Sequence, residues 1–222
     1  MSKATILDIK CCKCGADAKS LLKYSDLNLD MSIGNYYLSG TRVRTIPRKE
    51  VWEVRVCENC GYMNPNLSID NGLSLSFFND LTTDDIVFKS KHAELLYKYH
   101  KVLRTLTYFE NAYYILMACL DECDYVGDRI AALYCLMKMN FIYDKISKPN
   151  VNIVTQQIDV CRRLSLFEKT KSLVNNIDLP KEVFLVSPEY QNLLDYQVYL
   201  AENEKDGLYT HTDMQKWLEG QN

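Results

Sequence analysis

Nine cysteines occur in the 222 residues, and five of them fall within the first sixty. They stand as Cys11-Cys12-Lys13-Cys14-Gly15 and Cys57-Glu58-Asn59-Cys60-Gly61, two C-x-x-C-G units with 42 residues between Cys14 and Cys57. The chemistry of such a unit is that of a soft-ion clamp. A tight turn aims two thiolates at one point, and the glycine that follows accepts a positive φ. Two units supply four sulfurs, a closed tetrahedron for Zn2+ with no position left for water or substrate. A single C-x-x-C reads equally well as a redox dithiol. Repetition with matching glycines instead assigns Cys11, Cys14, Cys57 and Cys60 to a structural zinc. Cys12 breaks the spacing to Cys14 and is expected to pack or face solvent. In a reducing compartment, these spacings indicate metal binding or burial before disulfides.

No catalytic set accompanies the cysteines. The chain has three histidines, His92, His100 and His211. His92 and His100 are eight residues apart on an expected helix, on one face but about 12 Å apart, too far to share an ion easily. No Gly-rich phosphate loop, H-E-x-x-H or G-x-S-x-G motif is present. Asp121, Glu122 and Asp124 read as a solvated turn between helices. Cys119 and Cys123 are one helical turn apart, with Cys135 placed to lie across on the next helix, which admits a second metal site. Because these positions and Cys161 lie in apolar stripes, core packing is the favoured reading. The expectation is a non-enzyme.

The elements that must position the thiols change character near residue 80. Before it, Leu27, Leu29, Met31 and Ile33 alternate with polar residues, and Gly34-Asn35 reads as a turn. Tyr36 to Leu38 and Thr41 to Ile46 read as further strands. Trp52, Val54 and Val56 share a face and lead into Cys57. So small a sheet has little core, so its folding is expected to be coupled to metal binding. After residue 80, Thr82 and Asp85 read as a capping box opening a helix that carries Ala93, Leu96, Tyr97, Tyr99, His100, Leu103 and Leu106.

Further helices are expected at about 109–123 and 127–146. The second of these has a stripe of Ala131, Leu133, Tyr134, Met137, Phe141 and Ile142. A helical hairpin is expected over 150–180, and a last long helix after Pro188. Pro149 and Pro180 are 31 residues apart, close to the period of a two-helix repeat, although a plain bundle explains the same stripes. The fold class is therefore α+β. A small antiparallel β zinc ribbon (1–80) precedes an all-α region of helical hairpins, tetratricopeptide-like, or a bundle (81–222).

The order of elements resembles a group of bacterial proteins of unknown function with an N-terminal four-cysteine zinc ribbon and a C-terminal tetratricopeptide-like helical region. The resemblance is carried by Cys11-Cys-Lys-Cys14-Gly15 and by Val51-Trp-Glu-Val-Arg-Val-Cys57-Glu-Asn-Cys60-Gly61-Tyr62. It implies the same ligand set and two-part architecture, and it carries no activity.

The remaining composition narrows the partner. The net charge is −3, and 47% of residues are hydrophobic, enough for an ordinary core. No apolar run is long enough to span a membrane. The segment from Met1 to Lys10 lacks the basic region and cleavage site of a secretory signal, so a cytoplasmic location is expected. Sixteen tyrosines on stacked helices suit broad amphipathic contact, and the expected function is a non-catalytic adaptor or assembly subunit for a protein or peptide. Such a surface is also open to self-association. Nucleic-acid recognition is the alternative, because Arg42, Arg44, Arg48, Lys49 and Arg55 gather near the second unit and Tyr36, Tyr37 and Trp52 could stack on bases. The first 80 residues, however, balance ten Lys or Arg against nine acids, a weak charge for phosphate binding.

Overall fold

The computed structural model describes residues 5–22, 54–177 and 188–221. The strands expected across 27–46, and Trp52, lie outside these residues. Each cysteine unit forms the turn of its own antiparallel hairpin. β1 (Thr5–Lys10) pairs with β2 (Asp17–Leu22), Lys10 opposite Asp17. β3 (Arg55–Val56) pairs with β4 (Met63–Asn64). The expected strand into Cys57 exists only as its last two residues. Val54 is buried but Val56 is 40% exposed, so the two do not share a covered face. A two-residue ladder ending in a turn has no second layer over its last side chain.

Eight helices follow among the described residues: α1 (Leu75–Asn79), α2 (Lys91–Thr105), α3 (Phe109–Val126), α4 (Arg129–Tyr143), α5 (Val151–Arg163), α6 (Phe167–Asn175), α7 (Pro188–Glu202) and α8 (His211–Glu219). The helix expected at Thr82 starts instead at Lys91, where the Ser90 hydroxyl accepts the Ala93 N–H. Asp84 and Asp85 take positive φ, 56° and 65°, which breaks a helix before it forms. Asp84 faces Lys101, Lys138 and the Tyr97 hydroxyl rather than a helix N-terminus. A working capping box occurs elsewhere, at Thr210 and Asp213, and opens α8.

Four helices end in one way. Thr107, Gly127, Ser165 and Glu204 adopt positive φ. The next residue's N–H then reaches back five residues: Tyr108 to Leu103, Asp128 to Cys123, Leu166 to Cys161 and Lys205 to Leu200. These are Schellman closures, which satisfy the orphan carbonyls and turn the chain sharply, so consecutive helices lie side by side. Asp128 fixes one such corner from both sides, because its carboxylate caps Ala131 and also accepts the Lys89 N–H at 2.8 Å.

One apolar cluster runs from Cys11, Cys57 and Tyr62 through α2, α3 and α4 to Ile153 and Val160. Smaller clusters join α5 to α7 and α7 to α8. Of the stripe expected on α4, Ala131 and Ile142 face the core, but the four residues between them point outward. Ala131, Ala132, Cys135, Leu136, Met139 and Ile142 are buried, whereas Leu133, Tyr134, Met137 and Phe141 are exposed. Arg129 and Lys138 are the only charges in α4, so periodicity cannot choose its inward side. The small Ala and Cys side chains do, by allowing close approach to the neighbouring helix.

The C-terminal helices are tied down by a buried cation. Arg162 is fully buried. It donates to Asp159 at 2.7 Å, Gln197 at 2.8 Å, and the Lys205 and Gly207 carbonyls at 2.7 and 2.8 Å. The Tyr209 ring covers its guanidinium at 5.2 Å.

Candidate metal centre

The two knuckles share one backbone design. Cys11 N–H donates to Ala16 O and Gly15 N–H to Cys11 O, and Cys57 N–H donates to Tyr62 O and Gly61 N–H to Cys57 O, all at 2.8–2.9 Å. Gly15 and Gly61 have φ of +71° and +73°, the left-handed conformation expected of them. Each turn therefore points its two sulfurs the same way, and the hairpins face each other across the thiols.

The sulfurs of Cys11, Cys14, Cys57 and Cys60 all lie within 4.8 Å of one another. The closest cross pairs are Cys11 to Cys60 and Cys14 to Cys57, each at 3.7 Å. A tetrahedral ion with metal–sulfur bonds of about 2.3 Å has sulfur–sulfur edges of about 3.8 Å. The cluster thus has the size of a four-sulfur metal site and can hold an ion. Cys11 and Cys57 are buried, Cys60 is half-buried and Cys14 is exposed. The Asn59 side chain and the Ala16 backbone hold the Cys14 thiol down to about 6, whereas burial pushes Cys60 up to about 12. Cys14 is accordingly the first sulfur available as a thiolate, and burial of Cys60 favours its charge only once a cation is present.

Several residues that the motifs do not flag hold the site in place. Cys12 is exposed, as expected, but its N–H donates to Leu67 O at 2.9 Å, joining the first knuckle to the segment after the second. Lys13 pairs with Asp70 at 2.5 Å and lies over the Tyr62 ring. The buried Tyr62 donates its hydroxyl proton to Ile69 O and meets Phe78 edge-on at 5.0 Å, anchoring the knuckle to the helical body. The only available signal was the tyrosine following C-x-x-C-G. β1 and β2 were not expected from the sequence, although Leu7 and Ile9 alternate with Asp8 and Lys10.

Other candidate residues are dispersed. Arg42, Arg44, Arg48 and Lys49 lie outside the described residues, and Arg55 is half-buried in β3. His92 is exposed while His100 is fully buried. Eight residues turn a helix through about 800°, so the two are about 80° apart and do not share a face. The acidic group at the end of α3 is not a solvated turn. Asp121 is buried, Glu122 accepts from the Ser90 hydroxyl, and Asp124 pairs with Arg163 at 2.7 Å. Tyr97 and Tyr113 are fully buried, and their hydroxyls find Asp84 and Gln157. No described helix is long and apolar enough to cross a membrane.

Neither a protein-family model, nor a curated protein, nor a solved structure matches the chain. The four-cysteine cluster and the helical C-terminal region thus rest on the chain's own residues.

Proposed function

We propose that this protein is a non-catalytic adaptor in which a zinc ion clips the paired hairpins and α4 receives an acidic, amphipathic segment of another protein. Zinc fits the four thiols because it takes closed tetrahedral sulfur sites and needs no further ligand. The repeated Schellman corners support a helical-hairpin stack of the tetratricopeptide-like kind. Ser165 supplies at the α5–α6 corner the positive φ that glycine gives elsewhere.

The observation that carries the partner reading is the outer face of α4. Ile130, Leu133, Tyr134, Met137 and Phe141 recur at helical spacing and are exposed by 71, 47, 38, 52 and 52%. They form one stripe about 17 Å long. Isolated surface apolar residues need no explanation, but a continuous stripe of five marks a contact surface. Arg129, Lys145 and Lys148 are exposed around it. Lys145 Nζ lies 5.5 Å above the Phe141 ring, and the nearby Asp144 carboxylate faces Lys169. The rim is therefore basic, which selects an acidic partner, and the i, i+3, i+4, i+7 spacing of the stripe suits an amphipathic helix laid against it.

The test is fluorescence anisotropy with a labelled synthetic helix bearing leucines at i, i+3, i+4 and i+7 and glutamates between them. Micromolar binding, abolished in Met137→Asp/Phe141→Asp, is expected. Equal binding by the variant, or none by the wild type, would refute the reading. Concentration-dependent dimerisation lost in the same variant would reassign the stripe to a second copy of the chain.

A further inference from the structure

The helical body contains a second sulfur cluster. Cys119 and Cys123 lie one turn apart on α3, and Cys135 faces them from α4. Their three sulfurs lie within 4.8 Å of one another. Cys135 Sγ is 3.4 Å from Cys119 Sγ, and Cys119 Sγ also contacts the Ala93 carbonyl at 3.2 Å. All three side chains are fully buried. We propose that Cys119, Cys123 and Cys135 form a separate three-sulfur site for a trivalent thiophilic ion of the arsenous acid class.

The geometry excludes the ion proposed for the hairpins. No fourth thiol, imidazole or carboxylate among the described residues joins the group, and no solvent reaches it to supply a fourth ligand, as tetrahedral zinc requires. Three sulfurs about 2.3 Å from a common ion lie about 3.3 to 4.0 Å apart, the lower value for a pyramid and the upper for a planar triangle. The Cys119–Cys135 separation of 3.4 Å lies inside that range and the remaining sulfur pairs lie within 4.8 Å, so rotations of the thiols can close the site.

Charge selects among soft ions. Three thiolates with a monovalent ion would bury a charge of −2, and with a divalent ion −1, beside the acidic end of α3. A trivalent ion leaves none. The reaction balances without redox change: arsenous acid and three thiols give three As–S bonds and three waters, each thiol proton leaving with one hydroxide. Neutral reactants yield a neutral product, which is what an enclosed apolar site tolerates. Uptake must await local separation of α3 and α4, so it is slow in the native protein and faster in mild urea.

The full chain, loaded with zinc to occupy Cys11, Cys14, Cys57 and Cys60, is incubated with arsenous acid or refolded from urea with both, and its intact mass is measured. The expected gain is one arsenic atom less three hydrogens. It is retained in Cys161→Ser and lost in Cys123→Ser and Cys135→Ser. Far-ultraviolet circular dichroism verifies that the variants are folded, and Cys123→Ala provides a second variant if serine disrupts the core. No gain after refolding, a gain that leaves one hydroxyl on arsenic, or equal gain in the Cys123 and Cys135 variants would each overturn the proposal. Cuprous ion bound with preference over arsenous acid would overturn the charge argument.

Discussion

The paired hairpins and the helical body are held together by opposite means. The hairpins have short ladders, and their long-range organisation converges on four thiols, one of them exposed. The helical body closes its corners with backbone hydrogen bonds, supplies most of the apolar cluster that also reaches Cys11, Cys57 and Tyr62, and buries an arginine with every nitrogen engaged. In the first region, stability is expected to follow the ion. In the second it follows burial and polar satisfaction, so a perturbation of one should leave the other largely intact.

The largest expected effect comes from removing the ion. Structural zinc contributes on the order of 10 kcal/mol in small domains. Chelation or Cys57→Ser should therefore abolish amide protection across residues 5–22 and 54–64 while most helical ellipticity survives. Hydrogen exchange with mass spectrometry checks this, and global loss of helix would show that the regions are not separable.

The converse test lies in the helical body. Arg162→Ala leaves the Asp159 carboxylate buried without its cation and should cost about 3–5 kcal/mol, read as a lower urea midpoint with zinc still bound. Arg162→Met should cost less than Arg162→Ala if packing supplies part of the term.

A pH test also belongs to the helical body alone. Burial holds His100 down to about 3, and its Nε2 has no hydrogen-bond partner among the described residues, while Nδ1 engages the Tyr97 carbonyl. The unfolded chain, with an imidazole near 6.5, binds the extra proton between these values. The stabilisation is thus complete above about pH 6.5 and is lost as pH falls toward 3, up to about 4 kcal/mol. His100→Leu should flatten the urea midpoint between pH 6.5 and 4; an unchanged slope would contradict the assignment.

Smaller effects compare single backbone positions. Gly61→Ala forces an alanine to φ +73° and should cost about 1–2 kcal/mol, seen as weakened zinc retention against a competing chelator. Thr210→Ala should lower the unfolding midpoint by about 1 kcal/mol through loss of the α8 cap. Thr82→Ala should change it little.

That last pair shows what the sequence made legible. Thr82/Asp85 and Thr210/Asp213 offer the same capping pattern, but only the second becomes a cap. The first is diverted by long-range ion pairs from Asp84 to Lys101 and Lys138, which no local pattern reveals. The four-cysteine cluster could be read because C-x-x-C-G encodes its own turn. The helices of the body were largely visible from period, but three of their four Schellman corners use Thr107, Ser165 and Glu204 rather than glycine. On α4 the sequence pattern finds Ala131 and Ile142 inside but not the rest of the inward face, because both sides of that helix are apolar. The i, i+4 spacing of Cys119 and Cys123 admits a second sulfur site, but whether Cys135 closes it depends on register between α3 and α4, a tertiary fact that spacing alone cannot supply.

The central claim is that Cys11, Cys14, Cys57 and Cys60 hold one structural zinc. Native mass spectrometry of the full chain, purified without chelating resin, tests it most directly. One zinc per chain, lost in Cys57→Ser and Cys60→Ser and kept in Cys12→Ser, is the predicted result. A folded wild-type chain that carries no zinc and takes none up would contradict it.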